Sequence, residues 1–249
     1  HGDLRTMSIW KFANPNLFLK WSSKLIPVLA AVTFILLSIG LVWGGFLTPE
    51  DYRQGATVKI LFVHVPSAFL AVNIYFMMLI ASLIWLVKRH HVSALAAKAA
   101  APIGVSMTLI AIATGAIWGK PMWGIPWVWD PRLTSFAIML IFYISYIALW
   151  GAISNRDKAA DLSSILCIVG SVFAVLSRYA VNFWDKGLHQ GASLSLDKEE
   201  HVSNEFFFPL LICLTGFVCL FITLVLVRTQ TEIRKQRIIS ILRKKGCSE

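Results

Sequence analysis

The chain has 249 residues, 57% of them hydrophobic and 14% charged, with a mean hydropathy of +0.69 and a formal net charge of +10. So little charge cannot cover the surface of a soluble domain this size, and the apolar residues gather in long runs rather than in the alternating segments of a membrane barrel. The composition therefore excludes a soluble domain and a β-barrel, and leaves an all-α integral membrane protein.

In chain order, residues 1–6 (HGDLRT) precede Met7 and read as start-site readthrough, outside the fold. The N-terminal tail extends to residue 24 and carries Lys11, Lys20 and Lys24. Six apolar runs follow, at 25–47, 60–87, 99–118, 134–153, 161–183 and 206–227. Each is close to the roughly 20 residues that a helix needs to cross a bilayer. The fifth holds Arg178 and would also fit a shorter span ending near Leu176. Residues 25–227 form one six-span domain. Residues 228–249 form a basic tail that reads as an amphipathic or solvated helix.

The connecting segments sort by charge. One side takes the N-terminal tail, Lys88, Arg89, Lys98, Arg156, Lys158 and the tail from Arg228 to Lys245. The other takes only Arg53, Lys59, Lys120, Arg132, Lys186 and Lys198. The rule that cytoplasmic loops are rich in Lys and Arg puts both termini in the cytoplasm. The positive charge is thus a topology signal, and nucleic acid is not an expected partner. The outer segments are then 48–59, 119–133 and 184–205. A cleavable signal is not expected, because the first apolar segment is long enough to span and stay.

The cysteines, Cys167, Cys213, Cys219 and Cys247, form no CxxC or CxxCH pattern, so they read as small apolar side chains. More informative is WGKPMWGIPWVWDPRLTS, from Trp118 to Ser135. Trp118, Trp123, Trp127 and Trp129 fall within twelve positions, among Gly119, Gly124, Pro121, Pro126 and Pro131. These prolines and glycines predict a loop rather than a regular helix. One reading is an aromatic belt at the membrane surface. The other is a set of flat walls for a planar apolar ligand, which four indoles in one loop suit better. Asp130 and Arg132 either pair locally or offer a guanidinium to a ligand carboxylate.

This segment resembles the WWD domain of haem-handling membrane proteins, and the six-span length resembles the CcmC family of the system I cytochrome c maturation pathway. The resemblance extends to LFVHVPSAF (61–69) and NFWDKGLHQGAS (182–193), and covers about residues 25–227. It implies that haem b binds non-covalently at the outer face and is delivered to the haem chaperone CcmE for c-type cytochrome biogenesis. It also implies an ABC-type CcmAB complex with a small accessory subunit as partner. The location implied is the bacterial cytoplasmic membrane, or the mitochondrial inner membrane for an organellar protein. A haem carrier rather than a conventional enzyme is expected; the chain has no Walker motif of its own.

The resemblance further implies that His64 and His189 are the two axial ligands of the haem iron, since neutral imidazoles on both faces saturate it. It places Trp118, Trp123, Trp127, Trp129, Asp130 and Arg132 around the haem. His90 and His91 lie in the basic inner loop, and His201 lies in the acidic stretch LDKEEHVSNE, so none of these is expected to bind iron. The chain departs from the family pattern before the last outer loop, where Arg178 stands at a position often His or Lys, and Phe183–Trp184 replaces paired tryptophans. Two other readings stand beside haem transfer. One is a membrane redox cytochrome; the other is a transporter of a different small hydrophobic molecule.

Overall fold

The computed structural model describes residues 14–183, 203–244 and 246. Six helices run up and down: α1 (Pro15–Val42), α2 (Leu61–Lys88), α3 (His91–Trp123), α4 (Pro131–Ala152), α5 (Arg156–Phe183) and α6 (Asn204–Lys244). All six are long and apolar enough to cross a membrane. A π-helical turn over Trp43–Leu47 extends α1, and a 3-10 turn over Ala56–Ile60 leads into α2. The only ladder-type pairing among the described residues is a single bridge between Asp51 and Gly55.

The helices reach beyond the apolar runs because polar residues cap them. Asn14 accepts from Asn16 N–H at 2.9 Å, with Pro15 just inside the helix start, so α1 begins well before residue 25. His90 Nδ1 accepts from Ser93 N–H at 3.0 Å at the start of α3. Asn155 accepts from Lys158 N–H at 3.0 Å before α5. α2 stops where Arg89 turns left-handed, with φ 52°. α5 runs without a break from Arg156 to Phe183.

One expectation is corrected. Residues 119–123 are not loop: α3 continues past Trp118 through Gly119, Lys120 and Pro121 to Trp123. Pro121 falls in the last turn, where a missing N–H leaves a single carbonyl without its usual partner. Helices in membranes tolerate such prolines when neighbours satisfy the freed group. The break comes at Gly124, whose φ of 78° is left-handed and favours glycine. The connection therefore shrinks from 119–133 to 124–130.

α2 is the central helix, packed against α3, α5 and α6; α4 packs on α5 and α3, and α1 on α6. The main core joins Tyr75 and Met78 of α2, Met107 of α3, Met139 and Tyr143 of α4 and Cys167 of α5. Small residues let the helices approach, as is general in membrane bundles. A Cβ on Gly104 would lie 2.2 Å from Tyr143 Cε1, and one on Gly40 of α1 would lie 2.7 Å from Cys213 Sγ of α6. The outer surface stays apolar: Phe34 is 74% exposed and Val87 72%. That is the surface a bundle presents to lipid.

The basic end is stitched by polar contacts. α6 crosses residue 228 without a break, and Arg228 Nε donates to Ala99 O at 3.0 Å. Lys98 pairs with Glu232 at 2.7 Å, Gln230 donates to Ser22 Oγ at 2.8 Å, and Arg89 pairs with Asp161.

Candidate functional site at the tryptophan end

His64 stands in the first turn of α2, four residues after Ile60, and so at the end of the bundle where the tryptophans collect. Its seat is built by α3. Trp118 lies four positions after Thr114 and three after Gly115, which puts it on the helix face that these two share. His64 Nδ1 is 3.1 Å from Thr114 Oγ1. The imidazole lies edge-on to the Trp118 indole, with centroids 5.6 Å apart and planes at 79°. Gly115 is glycine for a reason of space: a Cβ there would lie 2.9 Å from His64 Cε1.

The indole is held from outside the helices. Trp118 Nε1 donates to Gln54 Oε1 at 2.8 Å. Gln54 is fixed by a tight turn in which Asp51 Oδ1 accepts from Arg53 N–H at 2.9 Å and from Gln54 N–H at 2.8 Å. Gly55 closes that turn with φ 57° and ψ −143°, a conformation open only to glycine.

The remaining tryptophans divide. Trp123 folds back over Gly119, where a Cβ would meet its ring at 2.9 Å. Trp127 and Trp129 pack on each other in the 124–130 connection, with centroids 5.5 Å apart and planes at 76°. Trp129 is 77% exposed, as a headgroup-level indole would be. Trp127 Nε1, by contrast, is buried with no hydrogen-bond partner among the described residues. A buried donor in that state calls for an acceptor.

Asp130 caps α4, accepting from Leu133 N–H at 2.7 Å, and this places Arg132 in the first turn. Arg132 is half-buried, and the charges acting on it are Arg178 of α5, of like sign, and Asp130. The Asp130 carboxylate thus shapes the helix start and acts on the Arg132 guanidinium, as a local pair would. Two arginines from neighbouring helices at one helix end suit an anionic group.

Residues missed in the sequence are Gln54, Thr114 and Gly115. The available signal was the helical spacing of Thr114 and Gly115 back from Trp118, hidden by the prediction of a loop beginning there. His189, Trp184 and His201 lie outside the described residues. At the opposite end, His90 serves as a helix cap and His91 packs against Trp85, centroids 5.2 Å apart, so both have structural tasks. Burial holds the His90 imidazole below its usual range. Cys167 and Cys213 are buried, as small apolar side chains would be.

Six apolar helices around a close-packed core, with an imidazole seated against an indole at one end, define a multi-span helical membrane protein. The sequence model of the family described as "Heme exporter protein C" matches residues 8–244. The chain is 60% identical over 236 residues to heme exporter protein C of Paracoccus denitrificans, covering 95% of this chain and 98% of the relative. Against the protein of the same description from Rhodobacter capsulatus it is 62% identical over 232 residues, covering 93% and 96%. Against that of Escherichia coli K12 it is 38% identical over 226 residues, covering 89% and 91%. The chain belongs to the heme exporter protein C family, CcmC.

Proposed function

We propose that the chain binds haem b as non-covalent cargo at the tryptophan end and passes it to the haem chaperone CcmE in c-type cytochrome biogenesis. The observation that carries this is His64, an imidazole at the tryptophan end of a span-length helix, seated against Trp118 by residues of a second helix. An ionisable group kept at such a position in a membrane protein is a functional candidate by default. The relatives' shared description as heme exporters supplies the ligand.

In this reading His64 and His189 hold the iron from its two faces. Trp118, Trp123, Trp127 and Trp129 line the porphyrin, and the buried Trp127 N–H finds its acceptor there. Arg132 and Arg178 contact the propionates by forked hydrogen bonds. Asp130 contributes by capping α4 and so fixing Arg132. The basic end faces the cytoplasm and the tryptophan end faces outward, with the protein in the bacterial cytoplasmic membrane or its organellar counterpart. Release of the haem depends on the CcmAB ATPase with its small accessory subunit.

The test is the absorption spectrum of the purified protein, wild type beside His64→Ala and His189→Ala. A six-coordinate bis-histidine spectrum, lost or altered in each variant, is expected. A haem-free wild type indistinguishable from both variants would sink the assignment.

A further inference from the structure

We infer that Thr114 is a positioning residue for haem ligation, because its hydroxyl fixes His64 as the Nδ1–H tautomer and leaves the Nε2 lone pair for the iron. This rests on the haem reading above for its last step, while the tautomer itself rests on geometry alone.

A threonine hydroxyl has one proton to give. Thr114 Oγ1 lies 2.6 Å from Ile110 O and 3.3 Å from Ala111 O, and a peptide carbonyl only accepts. The hydroxyl proton therefore goes to Ile110, by the short contact back along the helix. The same oxygen, 3.1 Å from His64 Nδ1, is left with lone pairs facing the imidazole. Only an Nδ1–H satisfies both groups; the opposite tautomer would set two lone pairs against each other or strip Ile110 of its contact. A neutral imidazole has one N–H, so Nε2 carries the lone pair.

The consequence is chemical as well as geometric. Imidazoles that bind metal commonly donate their second N–H to an oxygen, which fixes the ring and raises the basicity of the ligating nitrogen. Here the acceptor is itself polarised by donating to a backbone carbonyl. Gly115, one residue on, keeps the space that lets the ring reach Thr114. The three groups of α3 thus act on one imidazole, with Thr114 choosing its nitrogen, Gly115 admitting it and Trp118 bracing it.

The experiment has a haem-free arm and a haem arm. In protein labelled with ¹⁵N-histidine, the His64 signals, identified by their loss in His64→Ala, should show a protonated Nδ1 and an unprotonated Nε2. Thr114→Val should move that balance toward Nε2–H, and Thr114→Ser should restore it. Thr114→Ala serves as a second deletion of the hydroxyl should the valine variant fold poorly. In haem titrations, loss of the hydroxyl should weaken binding roughly 10–100-fold, the range usual for partners of a ligating histidine, with serine close to wild type. An Nε2–H tautomer in the wild type, or an unchanged tautomer and affinity without the hydroxyl, overturns the inference. A wild type with the expected tautomer that takes up no haem overturns the haem reading and the ligation step, and leaves only the tautomer standing.

Discussion

The imidazole of His64 and the indole of Trp118 meet edge to face, centroids 5.6 Å apart, although they start on different helices. The indole N–H points away from the histidine to Gln54 Oε1 at 2.8 Å, so a turn ahead of α2 anchors a residue near the end of α3. The histidine is therefore held by the packing of two antiparallel helices plus one loop residue, and its position responds to changes in any of the three.

Gly115→Ala should weaken haem binding by roughly 10-fold while sparing the fold. The added Cβ would sit 2.9 Å from His64 Cε1 and 3.4 Å from Nδ1, forcing the ring off its seat. Alanine is the better helix former by about 1 kcal/mol, which offsets part of the strain. Haem titration beside thermal unfolding of the haem-free protein checks this; unchanged affinity would show that the close approach is unimportant.

Gln54→Leu should cost about 1 kcal/mol of stability, because Trp118 Nε1 loses its acceptor in a half-buried position. Gln54→Glu keeps an acceptor and should lose less. Denaturation in detergent, followed by tryptophan fluorescence, measures the difference. Equal stability of the leucine variant and the wild type would remove Gln54 from the site's support.

The pH dependence should carry a signature of His90. Its folded imidazole is held below the ordinary 6.5, chiefly by burial, while its Nδ1 accepts from Ser93 N–H. Between the lowered folded value and 6.5 the unfolded chain binds the extra proton. The stabilisation is thus complete above 6.5, falls as pH drops below it, and levels off beneath the folded value. Protonation also removes the cap acceptor and puts positive charge at a helix N-terminus. His90→Asn, which caps without titrating, should flatten the fall in melting temperature from pH 7 to 5. A parallel fall in both proteins would assign the effect elsewhere.

Gly104→Ala should destabilise the bundle by about 1–3 kcal/mol through overpacking. Its Cβ would lie 2.2 Å from Tyr143 Cε1, and Tyr143 is fully buried with its hydroxyl donating to Ala71 O at 2.7 Å. Gly151→Ala on the same bundle is the control, since nothing lies within 4 Å of its added Cβ. Melting temperatures that drop only for the first variant are the expected result.

Much of the architecture was legible because the signals are local and additive. The six apolar runs anticipated six helices, since a bilayer requires length and apolarity of each segment independently. The contrast between basic connections and tryptophan-bearing ones separated the two ends of the bundle, and it placed His64 at the aromatic end. The misreading of 119–123 as loop came from rules for helices in water. Gly119 there is covered by the Trp123 ring, and Pro121 falls where the helix is about to end anyway.

The sequence by itself thus determined the number of spans, the two chemically distinct ends and the candidate histidine. Tertiary structure alone decided what surrounds that histidine. Thr114 is 50 residues from His64 along the chain, and Gln54 is 64 from Trp118. Which of their side chains meet depends on how far α2 and α3 are rotated and slid past one another. Hydropathy leaves that register open, because in lipid the buried and exposed faces of a helix are both apolar. It is fixed by close packing at positions such as Gly115 and by a few directional hydrogen bonds, neither of which any one segment displays alone.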